Sequence, residues 1–165
     1  KSRQEGESAA DLVTAYEEVK QALGLTESVE DMAKSTAVSS MVYANRPGDG
    51  SAREQAASCQ RVLGGGANIA IEYATKRYRS NVINWGMLPF VTSEEESKTM
   101  AVGDYVYVPN VRDQLFSDSD DYKAYVISGG VKKAEITLHL GHLSDEEKDI
   151  IAAGCLINYY ANSKA

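Results

Sequence analysis

At 165 residues and 17.9 kDa the chain has room for one compact domain and hardly for two. Hydrophobic residues make up 43% and charged residues 25%, ordinary usage for a globular chain, which excludes disorder, collagen-like repeats and a disulfide scaffold. Lys plus Arg total 17 against 24 for Asp plus Glu, a formal charge of -7, the opposite of the basic stripe that a nucleic-acid binder needs. The two cysteines, Cys59 and Cys155, lack paired spacing and are expected to be reduced, buried thiols. No apolar run approaches the roughly 18 residues of a membrane span and the start lacks a signal-peptide stretch, so a cytoplasmic protein with neither membrane nor nucleic acid as partner is expected. Residue 1 is Lys and not Met, which suggests a piece of something longer.

The pattern begins with helices. Leu12, Tyr16, Val19 and Leu23 recur on one helical face behind Ser8, an N-cap candidate with Asp11 three residues on, and Gly24 stops that helix. A short helix follows at Ser28–Lys34. Val38–Ala44 is β-branched and apolar and ends in Asn45-Arg-Pro-Gly-Asp-Gly50, a strand closed by a turn. Ser51–Leu63 then reads as a helix closed by Gly64-Gly-Gly66, Ala67–Tyr73 as a strand and Thr75–Asn84 as a helix. This β-α-β-α order predicts parallel pairing with right-handed crossovers. Asp104–Val108, Ala124–Ile127 and Ala134–Leu140 alternate apolar and polar residues, the signature of a sheet with one wet face. Ser144-Asp-Glu-Glu147 has capping-box spacing and opens a last helix running through Gly154 toward Tyr160. Ser93–Lys98 and Ser117–Asp121 read as solvated connections.

The strongest chemical feature is Gly48-Asp-Gly-Ser-Ala-Arg-Glu-Gln55, where a strand ends and a helix begins. Ligands of parallel α/β sheets gather at the carboxyl ends of strands, and a helix amino terminus offers free N–H groups to an anion. Ser51 would hold its hydroxyl near those groups, and Arg53 could grip a carboxylate through two hydrogen bonds. The same residues also fit a plain capping box, with Ser51 and Glu54 satisfying the first turn and Arg53 in water. Spacing alone leaves both readings open. His139 and His142 have no third ligand placed with them, and Lys76-Arg77-Tyr78-Arg79 reads as a solvated helix face or an anion-facing patch. Asp118, Asp120 and Asp121 lack the central Gly and closing Glu of a calcium loop and read as an exposed loop.

Several separated segments together match one family. Gly50-Ser-Ala-Arg-Glu-Gln-Ala-Ala57, then Leu63-Gly-Gly65, then Arg79-Ser-Asn-Val-Ile-Asn-Trp-Gly-Met-Leu-Pro-Phe90 resemble the carboxy-terminal swivel domain of the aconitase superfamily. The strand Gly103–Val108 and the ending Ala153–Tyr160 resemble the closing stretch of its bacterial hydratases, so that the resemblance covers roughly residues 38–160. Agreement of several motifs in order outweighs the capping-box reading of one of them.

The resemblance implies an α/β fold of swivelling β/β/α type, with a central, partly parallel sheet, a second antiparallel sheet and a helical layer. It divides the chain into a helical lead-in, 1–36, and a swivel domain, 37–165. It implies a hydro-lyase that removes and adds water on hydroxy di- or tricarboxylic acids, whose hydroxyl binds the open iron of a [4Fe-4S] cluster. The position matching Ser51 acts as base toward the substrate carbon, that matching Arg53 binds a substrate carboxylate, and Gly50 and Ala52 line the substrate. The cluster cysteines belong to other domains, so this chain holds no metal, is inactive alone, and needs cluster-bearing domains or a large subunit as partner. A serine hydroxyl is as weak an acid as water, so its use as a base depends on helix-start N–H groups and nearby cations. Two positions depart from the family: its second serine is Ala52 here and its His is Gln55. Two other readings stay beside this one: a separate small subunit of an isopropylmalate-isomerase-type enzyme, and an anion-binding module that kept the fold without the chemistry.

Overall fold

The computed structural model describes residues 9–163 except 118, with the side chains of residues 9–11 outside the description. The expected cap at Ser8, its Asp11 side chain and Asp118 fall outside the described part. Helices α1 (Ala9–Leu23) and α2 (Val29–Ser35) open it. Tyr16 and Val19 of α1 meet Met32 of α2, and the Tyr16 hydroxyl donates to the Thr36 carbonyl at 2.7 Å, which ties down the exit of α2. Ser28 caps α2 by accepting the Asp31 N–H.

The expected β-α-β-α run follows as β1 (Ser40–Ala44), α3 (Arg53–Val62), β2 (Gly65–Ala70) and α4 (Lys76–Asn84). A third strand, β3 (Leu88–Val91), is not among the expected ones. β1, β2 and β3 are all parallel, so their carboxyl ends share one side of the molecule. Pro89 obscures β3 in sequence, because proline cannot complete a ladder on both sides. The single bridge of β3 to its antiparallel neighbour lies beyond it, at Val91.

The rest comprises α5 (Glu94–Ser97), β4 (Tyr105–Tyr107), α6 (Val111–Leu115), β5 (Asp121–Ser128), β6 (Val131–His139), α7 (Asp145–Ala153) and α8 (Leu156–Asn162). Strands β6, β5 and β4 pair antiparallel as their alternation requires. The parallel and antiparallel portions are joined by the one pair Val91 and His139, so they form a single six-stranded mixed sheet of order β1-β2-β3-β6-β5-β4. Strand β5 shows why both of its faces are covered. Tyr122, Ala124 and Val126 point into the main core with Phe90, Ile136 and Leu138, while Ile127 on the other face meets α1 and α2.

The antiparallel strands expected as a second sheet thus continue the parallel one, and three further expectations need correction. The last helix is broken: Gly154 takes φ 86 and ends α7, and Cys155 is the N-cap of α8. The segment 93–98 is not merely solvated, since Ser97 is buried and the Glu96 carboxylate reaches across to β6. The patch 76–79 is mixed: Lys76 and Arg77 are exposed, but Tyr78 is buried and Arg79 donates to the Leu140 carbonyl at 2.8 Å. The Ser144 and Glu147 capping box forms as its spacing requires.

Candidate functional site

The loop 45–52 leaves β1 at the end of the sheet where β2 and β3 also terminate. Its backbone is stitched to the β2–α4 connection, with the Asn45 carbonyl accepting from the N–H groups of Ile71 and Glu72 and the Pro47 carbonyl from that of Ala74. An exposed ion pair at 2.8 Å between Arg46 and Glu72 runs parallel to these bonds. Exposed pairs of this kind add little stability, so the backbone bonds carry the seam.

Gly48 is the pivot of the loop. It adopts φ 94, and a Cβ there would lie 2.4 Å from the Tyr78 Cβ, so that only glycine fits against the ring. Its carbonyl accepts two hydrogen bonds, one from Arg53 Nε at 3.0 Å and one from the Thr75 hydroxyl at 3.2 Å. Thr75 also caps α4 by accepting the Tyr78 N–H. Beneath the loop, buried Asn68 donates to the Tyr78 hydroxyl at 3.0 Å and takes a short hydrogen bond from Gln60 of α3. Neighbouring Tyr73 donates its hydroxyl to the Phe90 carbonyl, and burial, reinforced by Tyr78 and only partly opposed by Arg79, pushes its phenol up. That group therefore stays a neutral donor.

Ser51 is exposed, and its hydroxyl has no hydrogen-bond partner among the described residues. Helix α3 starts one residue later than a Ser51 cap requires: Ala52 is the N-cap, without a side-chain cap, and Arg53 is the first helical residue. The capping box of Ser51 and Glu54 is therefore absent, and Glu54 instead accepts from the Trp85 indole N–H at 3.1 Å. Arg53 is half-buried and does not trail in water. Its Nε is fixed on Gly48, and its two terminal amino groups have no partner among the described residues. Gly50 and Ala52, exposed on either side of Ser51, complete the loop.

The other candidates separate from this loop. Cys59 is exposed on α3 and Cys155 is half-buried at the start of α8, which corrects the expectation of two buried thiols. His139 pairs through Nδ1 with Asp121 Oδ1 at 2.6 Å, a carboxylate partner that sequence did not place, because it comes from the adjoining strand. Among the described residues no group of three or more His, Cys, Asp or Glu side chains could hold a metal. An iron–sulfur cluster calls for several thiolates at one place, and two cysteines on separate elements do not fit one.

The architecture is thus a mixed-sheet α/β domain with a glycine-hinged loop over the carboxyl ends of its parallel strands. Residues 8–95 match the family model of the aconitase C-terminal domain, and the chain belongs to that family of aconitase-like hydro-lyases. Comparison with curated protein sequences gives no match. Among solved structures it is similar to 3-isopropylmalate dehydratase from Methanocaldococcus jannaschii, with 25% identity and a TM-score of 0.56 over 81% of this chain and 71% of that one. Among the described residues no helix is long and apolar enough to cross a membrane.

Proposed function

We propose that this chain is the swivel-type domain of an aconitase-like hydro-lyase acting on a hydroxy di- or tricarboxylic acid in the cytoplasm. Residues 37–165 form the swivel domain and 1–36 its helical lead-in. The observation that carries the reading is the state of Arg53: Nε is anchored to the Gly48 carbonyl at 3.0 Å and both terminal amino groups are left for an anion. A planar guanidinium so anchored suits a substrate carboxylate, with two parallel N–H···O bonds. Ser51, exposed two residues before it, serves as base and takes the proton from the substrate carbon. Gly50 and Ala52 carry no bulky side chain, which lets the loop backbone approach the carboxylate closely. Ala52 removes a hydroxyl that the family's second serine would offer, so the substrate is held by fewer side-chain donors on this face.

The [4Fe-4S] cluster belongs to other domains of the enzyme or to a large subunit, for which this chain supplies no ligand. The isolated chain then turns over neither citrate nor isocitrate. The similarity to a 3-isopropylmalate dehydratase favours a second arrangement, in which the chain is a separate small subunit paired with a cluster-bearing one. Reading the gene upstream of Lys1 separates the two arrangements.

The function is tested by Ser51→Ala and Arg53→Lys in the full-length enzyme. Replacing the forked grip by a point charge is expected to lower kcat/KM by about 10- to 100-fold, and Ser51→Ala to lower kcat more severely. Unchanged activity in both variants would show a module that kept the fold without the chemistry.

A further inference from the structure

We infer that Thr75, which does not belong to the loop at all, is a positioning residue for the guanidinium of Arg53. The inference rests on the reading of Arg53 as the carboxylate-binding group. Arg53 orients its guanidinium on one atom, the Gly48 carbonyl oxygen, and that oxygen also accepts from the Thr75 hydroxyl at 3.2 Å. A hydroxyl has one proton and two lone pairs, and both kinds of capacity are used here. The proton goes to Gly48, while a lone pair takes the Tyr78 N–H at 3.2 Å and so fixes the hydroxyl at the start of α4. The carbonyl cannot swing away, because Gly48 lies against the Tyr78 ring with no room for even a Cβ. Nor can the ring retreat, since its hydroxyl is bonded to buried Asn68, which is bonded in turn to Gln60 on the same helix that carries Arg53. The contacts close a ring, from α3 through β2 and α4 to the loop and back to α3. Thr75 is the link that reaches the Gly48 carbonyl, far from Arg53 in sequence and two bonds away in hydrogen-bond terms.

The decisive measurement follows the Arg53 Nε–H by NMR in the folded 165-residue chain, with Thr75→Val against Thr75→Ser. Thr75→Val removes the proton that holds the Gly48 carbonyl, and solvent exchange at Arg53 Nε–H should rise about fivefold, the equivalent of one neutral hydrogen bond. Thr75→Ser keeps the hydroxyl and should restore the protection. Thr75→Asp still caps α4 through its carboxylate but has no proton for Gly48, so it should behave as Thr75→Val does even where the valine variant folds poorly. Equal exchange in the serine, valine and aspartate variants overturns the inference.

In the full-length enzyme, with citrate and 3-isopropylmalate as probes, Thr75→Val should raise KM more than it lowers kcat. The effect should vanish in an Arg53→Lys background, where no fork remains to be oriented. If Arg53→Lys alone leaves KM unchanged, the functional reading of Arg53 fails. If Arg53→Lys raises KM and Thr75→Val adds its full effect on top, only the positioning role fails.

Discussion

The Glu96 carboxylate accepts the Thr137 backbone N–H at 2.8 Å, bridging the helical turn after β3 to the last part of β6. Its second oxygen takes the hydroxyls of Thr92 and Ser93 at 3.1 and 2.8 Å. The bridge lies where it matters most, because β3 and β6 share only the pair Val91 and His139. A side chain thus supplements the ladder exactly where the parallel and antiparallel portions meet, and the buried Thr92 hydroxyl has its acceptor there.

Removing that carboxylate leaves the Thr137 N–H without its acceptor and takes from the Thr92 hydroxyl the nearer of its two, the other being the Thr137 carbonyl at 3.4 Å. Glu96→Ala is therefore expected to cost about 1 to 3 kcal/mol of unfolding free energy by urea denaturation at neutral pH. Burial pushes the Glu96 carboxyl up, but hydrogen bonds from Thr137, Ser93 and Thr92 outweigh it and hold the group below its ordinary 4.5. A carboxyl depressed in the folded state contributes stability above its unfolded value and loses it as pH falls through the folded one. The stability gap between the native chain and Glu96→Gln should accordingly narrow below about pH 4.5 and stay level from pH 5 to 7. A gap that widens on acidification would contradict this account.

Gly86 and Gly154 lock the end of α4 against the break between α7 and α8. A Cβ on Gly86 would lie 2.0 Å from the Gly154 carbonyl oxygen, and Gly86 has φ 67. Gly86→Ala should destabilise by about 2 to 4 kcal/mol, combining left-handed strain with the overlap. Gly24 provides the control, since it has φ 64 but nothing within 4 Å of an added Cβ. Gly24→Ala should cost only the strain, about 1 to 2 kcal/mol. Equal losses in the two variants would show that the contact between α4 and α7 is soft.

Most of this architecture is legible in the residues. The periods of Val38–Ala44 and Ala134–Leu140, the strand end at Asn45–Gly50 and the box at Ser144 each act locally, and each appears where the pattern puts it. What escapes is decided by partners distant in sequence. Glu96 looks solvated until Thr137 is brought to it, although Ser93-x-x-Glu96 already had the spacing of a cap. Pro89 hides β3 because the bridge that makes its position harmless lies two residues later, at Val91. At the loop, sequence draws attention to Ser51 and Arg53 but is silent on Thr75 and Tyr78, which hold Gly48 from another helix. The continuous last helix fails for the same reason. Gly154 is free to end α7 in a left-handed turn, and the Arg61 guanidinium donates to its carbonyl from α3.

Both thiols should react with a thiol reagent in the native state. Cys59 is exposed and Cys155 is half-buried, so an aromatic disulfide reagent should modify both without denaturant, the first faster than the second. Cys59→Ser should abolish the fast phase and change stability by less than about 0.5 kcal/mol, as expected of an exposed position. A native chain with no reactive thiol would overturn the placement of α3's outer face.

Two glycines of the loop should fail in different ways, and the contrast separates the fold of the loop from its chemistry. Gly48 is needed by the fold: it sits at φ 94, with the Tyr78 Cβ 2.4 Å from where its own would be. Gly48→Ala should cost about 2 to 4 kcal/mol in urea denaturation, and the loop that moves to relieve the overlap should carry the Arg53 anchor with it. Gly50, by contrast, has nothing within 4 Å of an added Cβ and no left-handed φ. Gly50→Ala should leave stability within about 0.5 kcal/mol, yet its methyl would stand beside Ser51, where the proposed function has a carboxylate approach the backbone. In the full-length enzyme Gly50→Ala should therefore raise KM while the melting curve of the domain stays in place. Should Gly50→Ala leave both quantities unaltered, the substrate does not contact this part of the loop, and the binding role narrows to Arg53.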